Sequence, residues 1–342
     1  MVIFWFCVVA MMIAIYVVLD GFDLGAGIIH LIAGRNEVER RTILRSIGPV
    51  WDGNEVWLLA GGGTLYFAFP ALYASSFSGF YLPLMVVLWL LILRGISIEF
   101  RNHIDSPIWK PLWDVVFSFA SGLLVIFFGA ALGNVVRGVP LDGDGNFFLP
   151  FWTDFRTGPL PGILDWYTVT VGLAAFVTLM VHGALWVALK TEGDIEKRAQ
   201  AIAHRAWWPM LVLTVAITLM SFSVQPQLRK SFAAGPWGYV FPFLALLGMT
   251  AARLLKGRQA FLGSSLFIIG MLTSAAFGVF PYVLPSSGNP AFGLTIDNTA
   301  AAPYGLRVGL FWFVPGILLA IAYFVYAYRS FAGKVRLDEA GY

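Results

Sequence analysis

Long, continuous apolar runs are the feature that most constrains this chain. Nine runs of about 20 residues can be read, and about 20 apolar residues are what an α-helix needs to cross a bilayer. A transmembrane barrel would instead need short segments that alternate apolar and polar residues. The sequence therefore predicts an all-α, polytopic membrane helix bundle with nine transmembrane helices. The predicted spans are 3–33, 49–69, 74–99, 114–136, 163–189, 206–224, 238–255, 260–282 and 304–328.

Composition excludes the soluble class. Hydrophobic residues make up 59% of the chain and charged residues 12%, against roughly 45–50% and about 25% in soluble domains. No linker is long enough to separate two units, so we expect residues 1–342 to form a single integral membrane domain. No basic patch interleaved with aromatic residues predicts nucleic-acid binding, and the net charge of +3 mainly reflects orientation signals.

Most basic residues fall in every second connection between the predicted spans, and the connections between those contain few. An odd number of spans places the termini on opposite sides, and the positive-inside rule then puts the N-terminus outside and the C-terminus in the cytoplasm. The connections with few basic residues also carry the acidic and Gly/Pro-rich stretch LDGDGNFFLPFWTDFRTGPLPG. The 17 basic residues assigned to the cytoplasmic side are Arg35, Arg40, Arg41, Arg45, Arg94, Arg101, Lys110, Lys190, Lys197, Arg198, Arg205, Arg253, Lys256, Arg258, Arg329, Lys334 and Arg336.

Five acidic residues fall within or against the apolar runs: Asp20, Asp23, Asp52, Glu55 and Glu99. A charge at this depth costs several kcal/mol unless it is paired or hydrated. All five are predicted at the cytoplasmic side of the first three spans. Because Asp20 and Asp23 are spaced i, i+3, as are Asp52 and Glu55, each pair shares a helix face. We therefore expect these carboxyl groups to converge inside the bundle.

Arg94, near the end of the third span, is the expected countercharge for Asp20 or Asp23. Such a pair could be a structural ion pair with no transport role, and this alternative stays open. Asp52 has no obvious local cation and is the better candidate for a proton carrier. A hydrated chain of carboxyl groups that opens to the cytoplasm predicts proton uptake.

The four histidines are His30, His103, His182 and His204. His182 lies well inside a predicted span, where it could ligate haem, but a hydrogen-bonded packing role is favoured. One cysteine excludes an internal disulfide and a multi-thiolate cluster. The sequence contains no CxxCH, HExxH or P-loop motif. We predict no metal site and no directly catalytic residue.

Several segments resemble a known family. The chain is similar to subunit II of cytochrome bd-type quinol oxidases, including the cyanide-insensitive branch. The match runs from the first span to the last, and the motif around Trp51, Asp52, Asn54 and Trp57 is highly specific. The segments are DGFDLGAG (20–27), RNEVERRTILRSIGPVWDGNEVWLLAGGG (35–63), YASSFSGFYLPL (73–84), LRGISIEFR (93–101), HGALWVALKTEGD (182–194) and PYVLPSSGNP (281–290).

The resemblance implies a non-haem subunit of a respiratory oxidoreductase in the prokaryotic cell membrane. In this family subunit I holds two b-type haems and one d-type haem, oxidises quinol from the quinone pool and reduces oxygen to water. Subunit II supports assembly and a cytoplasmic proton path, and binds no haem alone. The family picture places Asp52 on the proton route, with Asp20, Asp23, Arg94 and Glu99 in a polar cluster. Membrane lipid is a further partner, and small accessory subunits are left open.

Two other functions compete with this interpretation. A proton-coupled secondary transporter would use similar carboxyl groups, although such folds usually show inverted repeats and broken helices near the midplane. A haem-free assembly protein would use the same acids for structure alone. Oxygen consumption after Asp52→Asn substitution separates the oxidase subunit from the assembly protein.

Overall fold

A computed structural model describes residues 1–335, which are largely helical. Arg336, assigned above to the cytoplasmic side, lies outside the described residues. Two short strands, β1 (Tyr282–Leu284) and β2 (Leu294–Thr295), pair antiparallel. The helices are α1 (Val2–Ala33), α2 (Glu37–Ile47), α3 (Trp51–Ala68), α4 (Pro70–Gly79), α5 (Tyr81–Phe100), α6 (Trp109–Arg137), α7 (Trp166–Lys190), α8 (Gly193–Val224), α9 (Pro226–Ala234), α10 (Val240–Leu254), α11 (Gly257–Val279), α12 (Ile296–Thr299) and α13 (Pro303–Ser330).

Eight helices within residues 1–335 are long and apolar enough to cross a membrane. They are α1, α5, α6, α7, α8, α10 with the 3₁₀ turn before it, α11 and α13. This confirms a multi-pass helical bundle. Helix α3, the second predicted span, is not among the eight because its 18 residues include Asp52, Glu55 and three consecutive glycines. The count of nine and the orientation therefore stay predictions.

Two predicted boundaries need correction. The predicted span 74–99 is interrupted, because α4 ends at Gly79 and α5 begins at Tyr81. Pro83 has no N–H with which to bond the carbonyl of residue 79, so a continuous helix would lose a hydrogen bond there. The predicted span 206–224 is the apolar part of α8, which already begins at Gly193. Hydropathy identifies only the part of a helix that can lie in lipid. The first turns of α8 are polar, so hydropathy did not include them in the predicted span.

Helix α1 is the centre of the bundle. It packs against α3, α6, α7 and α11, and Phe22, Ala26 and Ile29 on it are fully buried. Helix α13 lies at the edge, where Phe311 and Trp312 are each 78% exposed. The carboxyl groups on α1 are therefore placed in the most enclosed part of the protein.

A pair of glycines brings α1 and α7 into backbone contact. A Cβ atom on Gly25 would overlap the carbonyl of Leu179, and one on Gly183 would overlap the backbone of Gly25. Small residues allow such close approach in membrane bundles. The segment 21–27 thus forms a close-packed face of α1. Gly62 and Gly63 have open space around them, so the GGG segment makes no such contact within the described chain.

We expect Gly183→Ala to lower the free energy of unfolding by about 1–3 kcal/mol, the usual cost of overpacking. The added methyl group would force α1 and α7 apart. Gly305→Ala is the matched control, because nothing lies within 4 Å of a Cβ built there. Denaturant titration in micelles measures both variants, and equal stability of Gly183→Ala and Gly305→Ala would contradict the close crossing.

Five segments lie together at one end of the bundle, which we call the basic end. Arg101, after α5, is 2.8 Å from the Glu37 carboxylate on α2. Arg198 on α8 is 2.6 Å from Glu39 on α2. Lys190, at the end of α7, donates to the carbonyl of Phe331 after α13 at 2.6 Å. These contacts join the connections that carry most of the basic residues.

The opposite end is closed by the segment between α6 and α7 and by the two strands. Asp165 caps α7 by accepting the backbone N–H groups of Tyr167 and Thr168, as in a capping box. Its other oxygen pairs with Arg137 at the end of α6. Both side chains are buried, so this ion pair fixes the α6–α7 connection.

Candidate functional site

A buried ion pair joins α1 to α5. Arg94 donates from one guanidinium nitrogen to Asp20 Oδ2 at 2.9 Å and from the other to Oδ1. Both residues are fully buried. The guanidinium carbon also lies 6.0 Å from the ring centroid of Trp51. A bidentate ion pair of this kind offsets part of the free-energy cost of burying both charges.

Asp23 lies one helical turn further along α1 and is held by α3. Asn54 Nδ2 donates to Asp23 Oδ2 at 2.7 Å, while Tyr328 on α13 donates to Asn54 Oδ1 at 2.8 Å. Asp23 and Asn54 are fully buried. Asp23 Oδ1 has no hydrogen-bond partner among residues 1–335. One carboxyl oxygen is thus occupied and the other is free to bind a proton.

Glu55 brings a third carboxyl group to the same place. Its Oε2 lies 3.8 Å from Arg94, and its side chain keeps 26% exposure. We call Asp20, Asp23, Glu55 and Arg94 the carboxyl cluster. Among the described residues, two of these three carboxyl groups pair with the Arg94 guanidinium, and Asp23 lies one turn from Asp20. Like charges so close together favour proton binding by at least one member.

Two of the residues predicted for this site lie outside the cluster. Asp52, in the first turn of α3, and Glu99, in the last turn of α5, are both exposed. Within residues 1–335 neither carboxylate makes a hydrogen bond or ion pair. Asp52 precedes Glu55 by one turn and shares its face of α3.

A second buried group at the basic end was missed from the sequence. Asp114, at the start of α6, is 2.6 Å from His30 Nε2 and 2.6 Å from Arg101 Nε. Arg40 lies 3.3 Å from its other oxygen. This group joins α1, α2, α5 and α6. Asp114 is the first residue of a predicted span. A carboxylate at the edge of an apolar run could have indicated that it needs a buried cation.

Two of the four histidines are buried and hydrogen-bonded, and two lie at the surface. His182 Nδ1 lies 2.7 Å from Ser264 Oγ and its Nε2 lies 2.9 Å from the carbonyl of Val18, so both ring nitrogens have hydrogen-bond partners. His30 Nε2 is taken by Asp114. His103 and His204 lie at the surface. Residues 1–335 also contain no group of three or more His, Cys, Asp or Glu that could hold a metal ion.

The comparison with known proteins gives a consistent result. The family model for cytochrome bd terminal oxidase subunit II matches residues 1–331. A probable cytochrome oxidase subunit 2 of Haemophilus influenzae is 31% identical, covering 97% of this chain and 94% of the relative. Cytochrome bd ubiquinol oxidase subunit 2 of Bacillus subtilis is 31% identical, covering 89% and 88%. Cytochrome bd-I ubiquinol oxidase subunit 2 of Escherichia coli K12 is 28% identical, covering 98% and 95%.

A solved structure shares the fold. A chain in the structure of bd oxidase from Geobacillus thermodenitrificans superimposes with a TM-score of 0.73, covering 96% of this chain and 98% of that chain. At 16% identity this similarity concerns the fold alone. It shows that the arrangement of helices described above occurs in a known respiratory enzyme.

The spans and the buried charges define a multi-pass helical protein of the cell membrane. The chain belongs to the cytochrome bd terminal oxidase subunit II family. It is therefore a subunit of a terminal quinol oxidase, an oxidoreductase complex that contains haem and includes subunit I. Membership in this family disfavours the secondary transporter.

Proposed function

We propose that this subunit carries protons from the cytoplasm towards the haem centres of its complex. The carboxyl cluster supports this most directly, because the carboxyl groups of Asp20 and Glu55 both pair with Arg94 and a third, that of Asp23, is buried one turn away with no cation of its own among the described residues. A purely structural ion pair needs one carboxylate for each cation. The additional carboxyl groups give the cluster a capacity to bind and release protons.

The arrangement of α3 suggests a direction for this transfer. Asp52 is exposed, Glu55 is partly exposed, and Asp20 is fully buried. A proton that binds at Asp52 would pass to Glu55 one turn away and then to the cluster on α1. With the N-terminus outside and nine spans, Asp52 would face the cytoplasm.

In this proposal the redox centres lie in subunit I and not in the present chain. We infer that subunit I holds two b-type haems and one d-type haem, and that it oxidises quinol from the quinone pool. The hydrogen-bonded histidines of the present chain offer no ligand pair for haem. The chain would contribute assembly, a lipid-embedded interface and the proton path as a single membrane domain, with Glu99 at the rim of the same end.

We expect Asp23→Asn and Asp52→Asn each to lower oxygen consumption by the assembled complex about 10-fold or more, since a lost proton relay typically costs 10²–10⁴-fold when no substitute exists. Asparagine keeps the shape of the side chain but cannot carry a proton at neutral pH. Oxygen uptake and the haem spectrum of the purified complex measure activity and assembly separately.

Asp144→Asn is the matched control, because Asp144 is an exposed carboxylate in the α6–α7 segment at the opposite end. Full turnover in both Asp23→Asn and Asp52→Asn, with normal haem content, would refute the proton path. Loss of haem in proportion to the loss of turnover would instead favour a purely structural role.

A further inference from the structure

A second group of side chains approaches the carboxyl cluster from α13. The Tyr328 hydroxyl, Asn54 amide and Asp23 carboxylate form a continuous hydrogen-bonded row, with links of 2.8 and 2.7 Å. Asn54 also donates to the carbonyl of Leu19 at 3.3 Å. The row thus links α13 to α1 through α3, and the path proposed above uses only its last member, Asp23.

A small cavity lies at the outer end of this row. Its volume is about 10 Å³, and it is lined by residues from the α2–α3 link, α3 and α13, including Val50, Gly53 and Tyr328. A volume of this order is about the least that holds one water molecule. Tyr328 is partly exposed, and Tyr323 beside the cavity is 59% exposed. The cavity therefore lies beside the row and close to the protein surface.

The three polar groups of the row differ in what they can do with a proton. A tyrosine hydroxyl can accept a proton on its oxygen while it gives up its own, and a carboxylate can store one. An amide N–H donates a hydrogen bond but does not release its proton at neutral pH. Asn54 therefore interrupts proton transfer as long as it stands between Tyr328 and Asp23.

We propose that Tyr328 is a second proton-uptake group of this subunit and that the Asn54 side chain is the gate between Tyr328 and Asp23. This inference rests on the proton path proposed above. When Asn54 turns away from Asp23, a water molecule takes its place. A proton from water in the cavity binds Tyr328 Oη, the hydroxyl proton passes to the bridging water, and that water gives a proton to Asp23. Tyrosine and water end unchanged, and the carboxylate gains one proton.

The surroundings of Asp23 suit this role. The titratable groups that face it are Asp20, Glu55, Arg94 and Tyr328. Asp23 Oδ1 lacks a hydrogen-bond partner among the described residues, so a proton can bind there while Asn54 still holds Oδ2. Once the Asp23 carboxyl group has bound the proton, the Asn54 side chain can return to its hydrogen bond with Oδ2.

The test uses the assembled oxidase in liposomes and measures oxygen consumption, the rate of proton uptake, the KM for quinol and haem content. We expect Tyr328→Phe to slow proton uptake at least three-fold with KM and haem content unchanged. Tyr326→Phe is the matched control, because Tyr326 lies on the same helix and is 71% exposed. Asn54→Ala, which removes the interrupting amide and leaves room for water, should raise the uptake rate. Asn54→Leu, which fills the space with an apolar side chain, should lower it.

Unchanged uptake in Tyr328→Phe while Asp23→Asn is impaired would overturn this inference and leave the proposed proton path intact. Unchanged uptake in Asp23→Asn would overturn both. Equal losses in Asn54→Ala and Asn54→Leu would show that the amide is structural and would exclude the gate. If Asn54→Leu does not assemble, the Tyr328→Phe measurement decides the matter alone.

Discussion

Replacing Arg94 with methionine is expected to lower the free energy of unfolding by about 3–5 kcal/mol, the usual cost of removing one partner from a buried ion pair. Arg94 is fully buried and is bonded to both oxygens of Asp20. Methionine fills much of the same space, so the main change is the loss of the charge. The variant leaves Asp20 without its cation in the most enclosed part of the bundle.

Denaturant titration of the purified complex in micelles measures this loss, with Arg258→Met as a control because Arg258 is exposed. The double variant Asp20→Asn with Arg94→Met should lose less than the sum of the two single variants, since neither charge is then left alone. Additive losses, or an Arg94→Met variant as stable as Arg258→Met, would contradict the pairing.

Asp114→Asn is expected to cost about 3 kcal/mol by the same mechanism. Asp114 is 1% exposed and pairs with Arg101, itself fully buried, and with His30. Asparagine keeps an oxygen and the side-chain shape but removes the negative charge that balances Arg101. Helices α1, α2, α5 and α6 meet at this group, so we expect lower thermal stability and a lower yield of assembled complex.

Asp105→Asn is the matched control for this variant. Asp105 is 2.7 Å from Lys110 in the same connection, but its side chain is 96% exposed. Solvent screening makes an exposed pair weak, so we expect no measurable change in melting temperature. If Asp105→Asn destabilised the complex as much as Asp114→Asn, burial would not be the reason for the effect.

The carboxyl cluster was partly predictable. Asp20, Asp23 and Glu55 stand out because a carboxylate inside an apolar run is expensive, and Arg94 is a cation at matching depth. The sequence did not decide whether Asp20 or Asp23 would pair with Arg94. Both lie on one helix face, and the choice depends on how α5 packs on α1. Asp52 and Glu99 lie at the same predicted depth, yet they face outward, which hydropathy along the chain does not reveal.

The sequence did not predict which distant segments contact each other. Tyr328 lies 274 positions from Asn54, and nothing in the local sequence of α13 distinguishes it from Tyr323 or Tyr326. Asp114 looked like a residue at a span boundary, and Arg101 looked like an orientation signal. Their pairing depends on the α5–α6 connection folding back against α1 and α2.

The sequence by itself determined the class of the protein, the presence of many long apolar helices, and which charged residues require explanation. These follow from the cost of placing polar groups in hydrocarbon, which acts on each segment separately. The tertiary structure alone decided that Arg94 pairs with Asp20 and that Tyr328 reaches Asn54. Those outcomes depend on the rotation and crossing of helices, which glycine contacts such as Gly25 with Gly183 set, and no single segment encodes them.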